Sequence, residues 1–150
     1  MEKERVVVDT YALLAIVYDE VSSVGRVVLE RIRSGEIEGL LPVTVAYEYI
    51  VHWYRGRIPA LKNIDEVLAY LNTYFNLTML SIDEYVEAAR IKVLGDRLLR
   101  ESGVEELIGR RLSIVDSTVL AIAYKRNLPI LTGDKDLAYV AEKIGLEVIW

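Results

Sequence analysis

Cysteine is absent from the 150-residue sequence, and histidine occurs once. The lack of cysteine excludes disulfides, thiolate zinc sites and a cysteine nucleophile, and a single histidine excludes metal sites built from several imidazoles. Glutamine is also absent, which together with abundant Ile, Val, Glu and Arg leads us to expect a thermophilic source. A chain without disulfides is typical of the cytoplasm, and we expect it to act there.

Long apolar runs and an excess of basic residues are missing as well. No apolar stretch approaches the ~20 residues of a membrane-spanning helix, and charges occupy the N-terminus where a signal peptide is apolar. The 18 Lys and Arg face 23 Asp and Glu, so the net charge is −5. This composition excludes a membrane protein and is evidence against a broad basic surface for nucleic acid.

The residues that are present predict one domain over residues 1–150. Hydrophobic residues make up 53% and charged residues 27%, and nine Gly with three Pro are too few for a flexible linker. Short apolar runs alternate with helices of ten or more residues, which predicts an α/β fold with helices on both faces of a mainly parallel sheet of four or five strands. The predicted strands cover 5–9, 39–41, 77–82, 129–131 and 147–150.

Turn and cap residues place the helices between these strands. Ser22 or Ser23, Asn63 or Asp65, and Asp83 are expected to begin three of them. Ser113 begins the helix that ends near Asn127, ahead of Pro129. The segment between Leu99 and Leu112 contains two glycines and predicts an irregular stretch.

Acidic residues follow the predicted strands or lie near their ends, where open parallel sheets bind ligands. Each has an alternative interpretation: a helix cap or dipole partner for most of them, and a solvated helix face for Glu48. If they converge, clustered carboxylates without His or Cys suit a hard cation, Mg²⁺ or Mn²⁺. The candidates are Asp9, Glu48, Asp116, Asp134 and Asp136.

Four segments of the chain resemble the PIN-domain ribonucleases, in particular VapC-type toxins. They are VVVDTYALLA, the helix of Glu48, LSIVDSTVLAIAYKRNLPILTGDKDL and GLEVIW, and together they span nearly the whole chain. The spacing of 18 residues between Asp116 and Asp134 is the most specific part. Three features depart from the family pattern: Tyr11 replaces a small polar residue, Leu137 replaces a common Phe, and residues 100–111 form a longer stretch.

The resemblance implies a PIN-like three-layer fold and a Mg²⁺- or Mn²⁺-dependent endoribonuclease. Its acidic quartet is carried over to Asp9, Glu48, Asp116 and Asp134, and Asp136 is a fifth acid. The expected metal ligands are Asp9, Asp116, Asp134 and Asp136, while Glu48 completes the metal shell through water or orients the nucleophile. The hydroxyls of Thr10, Ser117 and Thr132 are expected beside the acids, although capping explains the first two equally well. The resemblance also implies a VapB-type antitoxin as partner and a homodimer.

Basic and aromatic residues near the acids are candidate RNA contacts. Arg110, Arg111 and Lys135, and with them Lys125 and Arg126, are placed to meet the phosphate backbone, although solvated charges are the default. His52 lies one helical turn after Glu48, and an exposed histidine without a catalytic role is the commoner case. Tyrosines such as Tyr11, Tyr47 and Tyr49 are candidates for base stacking or for the core.

Two other functions fit the same sequence. The same residues fit a PIN nuclease of RNA maturation, and the fold alone fits a non-catalytic interaction module.

The net charge of the chain corresponds to the charge of the proposed site. Removing the five site acids leaves 23 − 5 = 18 acids against 18 bases, so the surplus negative charge equals that of the proposed site. We therefore expect RNA binding to depend on metal.

Overall fold

The computed structural model describes residues 2–150 and contains a five-stranded sheet in the order β3-β2-β1-β4-β5. Every neighbouring pair of strands is parallel. This confirms the α/β class and the parallel sheet predicted from the alternating pattern. The strands are β1 (Arg5–Val8), β2 (Glu38–Pro42), β3 (Asn76–Thr78), β4 (Ile130–Leu131) and β5 (Val148–Ile149).

The central strand β1 is covered on both faces. Val6, Val7 and Val8 are at most 2% exposed although successive side chains point to opposite faces. β-branched residues favour this extended, doubly buried environment, as the sequence pattern predicts. Val7 aligns with Leu40 on one side and Ile130 on the other, which brings the ends of β1 and β4 together.

Eight helices connect the strands within residues 2–150, and none of them is long and apolar enough to cross a membrane. Helix α7 is the most deeply buried, because every residue from Ser117 to Ala123 is excluded from solvent. Its N-terminus lies toward the carboxyl edge of the sheet. The helices are α1 (Thr10–Val17), α2 (Ser23–Arg33), α3 (Val43–Tyr54), α4 (Ile64–Tyr74), α5 (Ile82–Arg100), α6 (Glu105–Ile108), α7 (Ile114–Arg126) and α8 (Lys135–Lys143).

The end of β3 and the start of α5 differ from the prediction. The strand ends at Thr78 instead of Ile82, and Ser81, not Asp83, is the N-cap of α5. Ser81 and Glu84 form a capping box, in which each side chain accepts a hydrogen bond from the other residue's backbone N–H. This arrangement starts the helix at Ile82 and places Asp83 in its first turn. The other predicted caps are resolved to Ser22, Asn63 and Ser113.

The irregular stretch before α7 contains the short helix α6 and is anchored to α5. Asp96 accepts a hydrogen bond from Leu112 N (2.8 Å) and is also bonded to Lys92 (2.7 Å). Gly95 lets Leu112 pack closely, since a Cβ there would lie 2.3 Å from Leu112 Cδ1. These contacts hold the residues that precede Ser113 and therefore fix where α7 begins.

Candidate functional site

Asp9 occupies the carboxyl edge of the sheet, directly after β1. It is 2% exposed, and its carboxylate accepts a hydrogen bond from the hydroxyl of Thr132, which follows β4 (Oγ1 to Oδ2, 2.8 Å). The same hydroxyl oxygen accepts a hydrogen bond from the backbone N–H of Asp134 (3.1 Å). Thr132 thus connects two of the predicted site acids, which lie in distant parts of the sequence.

Asp116 reaches the same edge from the first turn of α7. It forms a capping box with Ser113: Asp116 N donates to Ser113 Oγ, and Ser113 N donates to Asp116 Oδ2, both at 3.0 Å. The S-x-x-D spacing at 113–116 is the sequence signal for this contact. Ser113 therefore fixes the rotamer of Asp116, a role that sequence reasoning missed when it assigned Ser113 only to the helix start.

The carboxylates at this edge interact with one another electrostatically. Burial, followed by the charge of Asp116 and more weakly that of Asp134, raises the pKa of Asp9 to about 7. Burial also raises the pKa of Asp116 to about 6, with contributions from Asp134 and from Glu48, which is half-buried on α3. Each shift arises because a desolvated negative charge near other negative charges favours protonation. Asp116 and Asp134 thus affect the pKa of Asp9, and Asp134 and Glu48 affect that of Asp116.

This group of four acids lacks a paired cation. Within residues 2–150, no Lys, Arg or His forms a salt bridge with Asp9, Glu48, Asp116 or Asp134. Buried carboxylates are normally paired or hydrogen-bonded to donors, because an unpaired charge in the interior is costly. Three of these acids accept hydrogen bonds, but none of the four has a paired cation, and groups of this kind are common at functional sites.

Asp134 and Asp136 lie at the start of α8 and differ from each other. Asp134 is the N-cap, and its Oδ1 accepts hydrogen bonds from the N–H groups of Asp136 (2.9 Å) and Leu137 (3.1 Å). Asp136 is 7% exposed and accepts a hydrogen bond from Arg110 Nε at 2.8 Å. The capping alternative therefore applies to Asp134, while Asp136 is already paired with a cation.

The donor set suits a hard divalent cation. It consists of carboxylate oxygens, and the nearby Thr10 Oγ1 is a buried hydroxyl with no hydrogen-bond partner in the described chain. In residues 2–150, no three His, Cys, Asp or Glu side chains are grouped closely enough to hold a metal ion as they are oriented here. The residue types therefore fit such an ion, while the acids in their described positions do not form a complete set of ligands.

The remaining predicted site residues have varied surroundings. Ser117 Oγ donates to the carbonyl of Ile114 (2.6 Å), so its hydroxyl is used within α7 and not on an acid. His52 is half-buried, and its Nδ1 lies 2.8 Å from Arg57 Nη1; burial and Arg57 lower its pKa. Arg111 and Lys125 are exposed. Arg126 lies at the opposite end of α7 from Asp116 and pairs with Glu84, so it is not beside the acids.

A cavity of about 330 Å³ adjoins the acids. Its walls include Tyr11, Arg110 and Lys135, the last of which lies 3.4 Å from Glu106. Gly133 also lines this cavity, and Trp150 packs beside it. Neither Gly133 nor Trp150 was among the residues predicted from sequence, because no local motif marks them. The other lining residues are Glu106, Leu107, Asp134 and Asp136.

The parallel sheet and the carboxylates at its carboxyl edge define an α/β domain with an acidic site. The profile of the PIN domain matches residues 6–143, and the chain belongs to this family. No curated protein matches the sequence significantly.

Solved structures with a similar fold include two from toxin–antitoxin systems. VapC20 of Mycobacterium tuberculosis, a toxin that cleaves the sarcin-ricin loop, has 16% identity and a TM-score of 0.56, covering 89% of this chain and 92% of its own. VapBC2 of Rickettsia felis, bound to a DNA fragment from its promoter, has 12% identity and a TM-score of 0.62, covering 96% of both. PAE2754 of Pyrobaculum aerophilum has 18% identity and a TM-score of 0.56, covering 97% of this chain and 83% of its own.

Proposed function

We propose that the protein is a divalent-metal-dependent endoribonuclease that hydrolyses RNA phosphodiester bonds. The observation that carries this proposal is the group of carboxylates without a paired cation around the buried Asp9 and the half-buried Asp116. Burial is the main cause of the raised pKa values of Asp9 and Asp116, and the charges of neighbouring acids add to it, so a bound cation would favour the ionised forms. Membership of the PIN domain family agrees with this chemistry.

Each acid has a separate task in the proposed site. Asp9, Asp116 and Asp134 would hold Mg²⁺ or Mn²⁺, and Asp136 is a further candidate ligand once Arg110 releases it. When bound there, such an ion would lower the pKa of a water molecule and neutralise charge on the phosphate. Thr132 orients Asp9, and Ser113 orients Asp116, through the hydrogen bonds described above. Glu48 lies on α3 and contributes to the raised pKa of Asp116; it would complete the metal shell through water or position the nucleophile.

The biological role that we propose is that of a toxin paired with a VapB-type antitoxin. Similarity of fold to VapC20 and VapBC2 supports this role. We further propose that residues 1–150 form a single PIN domain that acts in the cytoplasm as a homodimer. Light scattering of the purified protein measures the dimer directly, and a short antitoxin reading frame just upstream of the gene would agree with the toxin role.

Two other functions share the fold. A PIN nuclease of RNA maturation uses the same acids, and the absence of a neighbouring antitoxin gene would favour it. A non-catalytic interaction module needs no metal, so failure of the protein to bind Mn²⁺ would favour that function. The unpaired acids favour a nuclease over such a module, since a binding surface does not require buried charge.

A cleavage assay tests the proposed chemistry. A labelled single-stranded RNA should be cut by the wild type with Mn²⁺ or Mg²⁺, and excess EDTA should stop the reaction. EDTA should also weaken RNA binding, because the uncompensated acids repel phosphate when no cation is present. Cleavage that continues at the same rate in EDTA, or RNA affinity that EDTA leaves unchanged, would contradict the proposal.

A further inference from the structure

An aromatic side chain and two cations surround the cavity beside the acids. Tyr11 follows Asp9 by two residues; it is 38% exposed and lines the cavity. Arg110 and Lys135 lie on the same cavity, and their side chains are 62% and 79% exposed. Stacking surfaces combined with cations are what proteins use to hold single-stranded nucleic acid.

The ring of Tyr11 is held in place by its neighbours. Trp150 packs nearly perpendicular to it, with ring centroids 5.5 Å apart and an interplanar angle of 85°. Gly133 makes room for both rings, since a Cβ there would lie 2.5 Å from Tyr11 Cε1 and 2.6 Å from Trp150 Nε1. A ring fixed before binding loses little entropy when a base stacks on it.

Arg110 is suited to a phosphate next to that base. Within residues 2–150 its guanidinium makes one hydrogen bond, through Nε to Asp136, which leaves its terminal amino groups available to the cavity. Lys135 is paired with Glu106 at 3.4 Å, an exposed contact that contributes little and is easily exchanged. The cavity thus brings an aromatic side chain and two cations together beside Asp134 and Asp136.

We propose that Tyr11 is the base-stacking residue of a nucleotide subsite next to the cleaved phosphate, with Arg110 on the backbone of that nucleotide. This inference rests on the proposed ribonuclease function and adds the residue that selects and positions the substrate. Tyr11 does not hold metal or take part in bond breaking. Its loss therefore lowers the efficiency of substrate use without removing the chemistry.

The test compares Tyr11 variants on RNA with and without the stacked base. The cut position of the wild type is first mapped on a long single-stranded RNA of known sequence. Twelve-nucleotide substrates containing that site are then made intact, or with an abasic ribose on either side of the cut. If the wild type cuts no RNA, the ribonuclease proposal fails, and that result is separate from the outcomes below.

The expected result is a loss that depends on the base. Tyr11→Ala should lower kcat/KM on the intact substrate by about fivefold to a hundredfold, and Tyr11→Phe should retain most of it because the ring remains. On one abasic substrate the wild type should lose a similar factor, and Tyr11→Ala should lose nothing further. Tyr85→Ala is the matched control, because Tyr85 is 43% exposed on the first turn of α5, away from the acids.

Two outcomes would overturn the subsite. One is an equal loss for Tyr11→Ala on the intact and both abasic substrates, which is the result of a structural disturbance. The other is that Tyr11→Ala cleaves all substrates as efficiently as the wild type. This outcome would overturn the subsite even if the variant were less well inhibited by an antitoxin. Thermal unfolding of each variant records whether the ring is needed for stability.

Discussion

Two buried acids at opposite ends of α7 have opposite surroundings. Glu84 is 5% exposed beside the C-terminal end of this helix, and Arg126 bonds to both of its carboxylate oxygens, at 2.8 and 2.9 Å. Asp9 is 2% exposed near the N-terminal end, and its neighbours are other acids. The hydrogen bonds from Arg126 lower the pKa of Glu84, whereas burial and Asp116 raise that of Asp9 to about 7.

The different surroundings at the two ends of α7 distinguish an acid that stabilises the fold from acids that serve a function. A buried acid that serves the fold is paired, as Glu84 is, because pairing offsets the loss of hydration. The acids around Asp9 have no paired cation, and the raised pKa of Asp9 means that its ionised form lowers the stability of the folded chain. A protein retains an arrangement of this kind where a ligand supplies the missing charge.

The largest effect is expected on activity at the Asp9 end. Asp116→Asn keeps the shape of the side chain but removes a ligand charge, so metal-dependent RNA cleavage should fall about 10³-fold or more. Glu84→Gln likewise replaces a carboxylate by an amide of the same shape, but at the acid paired with Arg126, and it should leave the cleavage rate per folded molecule unchanged. If both variants lost activity to a similar extent, the acids at the two ends of α7 would not differ in function.

The second expected effect is a gain in stability when the unpaired charge is removed. Folding raises the pKa of Asp9 from 3.8 to about 7, so the folded state loses stability as pH rises through this interval. Asp9→Asn should raise the free energy of unfolding at pH 8, by up to about 4 kcal/mol if the whole shift is recovered. The gain should shrink toward pH 4.

Denaturant unfolding without metal at several pH values measures this gain. Asn can still accept the hydrogen bond from Thr132, so that contact is preserved in the variant. If the variant were less stable than the wild type at pH 8, or if the difference in the free energy of unfolding were the same at every pH, the fold would not be raising the pKa of Asp9.

The third effect is a loss of stability at the Glu84 end, with the opposite pH dependence. Because the folded state lowers the pKa of Glu84, its contribution is present above the unfolded pKa and is lost as pH falls. Glu84→Gln should lower the free energy of unfolding at pH 7 by about 2 kcal/mol, less than for a fully buried pair because Arg126 is 31% exposed.

An exposed pair serves as the control for the Glu84 variant. Asp19 and Arg26 are 3.5 Å apart, with side chains 90% and 58% exposed, so Asp19→Asn should change stability by less than about 0.5 kcal/mol. If Glu84→Gln and Asp19→Asn changed the free energy of unfolding equally, the pair of Glu84 and Arg126 would contribute no more to stability than an exposed pair.

The smallest effect concerns the hydroxyl that joins Asp9 to Asp134. Thr132→Val retains the shape but removes one donor to Asp9 and one acceptor for Asp134 N, at an expected cost of about 1–2 kcal/mol. The pKa of Asp9 should rise further, because the hydrogen bond favours the ionised form. The pH at which cleavage reaches half its maximum should therefore move upward, whereas Thr132→Ser should leave it nearly unchanged.

Local patterns in the sequence predict most of the fold. The β-branched run of β1 and the buried face of α7 lie where the pattern places them. The end of β3 was predicted wrongly, since the mostly apolar segment from Leu77 to Ile82 favours a strand and the capping box of Ser81 with Glu84 overrides that propensity.

The site is less accessible to such reasoning than the fold. Asp9, Asp134 and Asp136 could be named from their positions after strands, whereas Asp116 and Glu48 lie in helices and were assigned to the site by the resemblance to PIN-domain ribonucleases. The contacts of these acids could not be predicted. The hydrogen bond from Thr132 to Asp9 spans 123 residues, and the pairing of Arg110 with Asp136 depends on where the stretch around α6 folds back. Gly133 and Trp150 gain their roles only from tertiary packing around Tyr11.

The most direct measurement is a crystal of the wild type soaked in Mn²⁺, with its anomalous signal recorded. We predict a peak at the carboxyl edge of the sheet, coordinated by Asp9, Asp116 and Asp134 at about 2.0–2.2 Å, and its loss in Asp116→Asn. The paired acid Glu84 should bind no ion. A wild-type crystal without a peak among these acids, or with the peak unchanged in Asp116→Asn, would contradict the account.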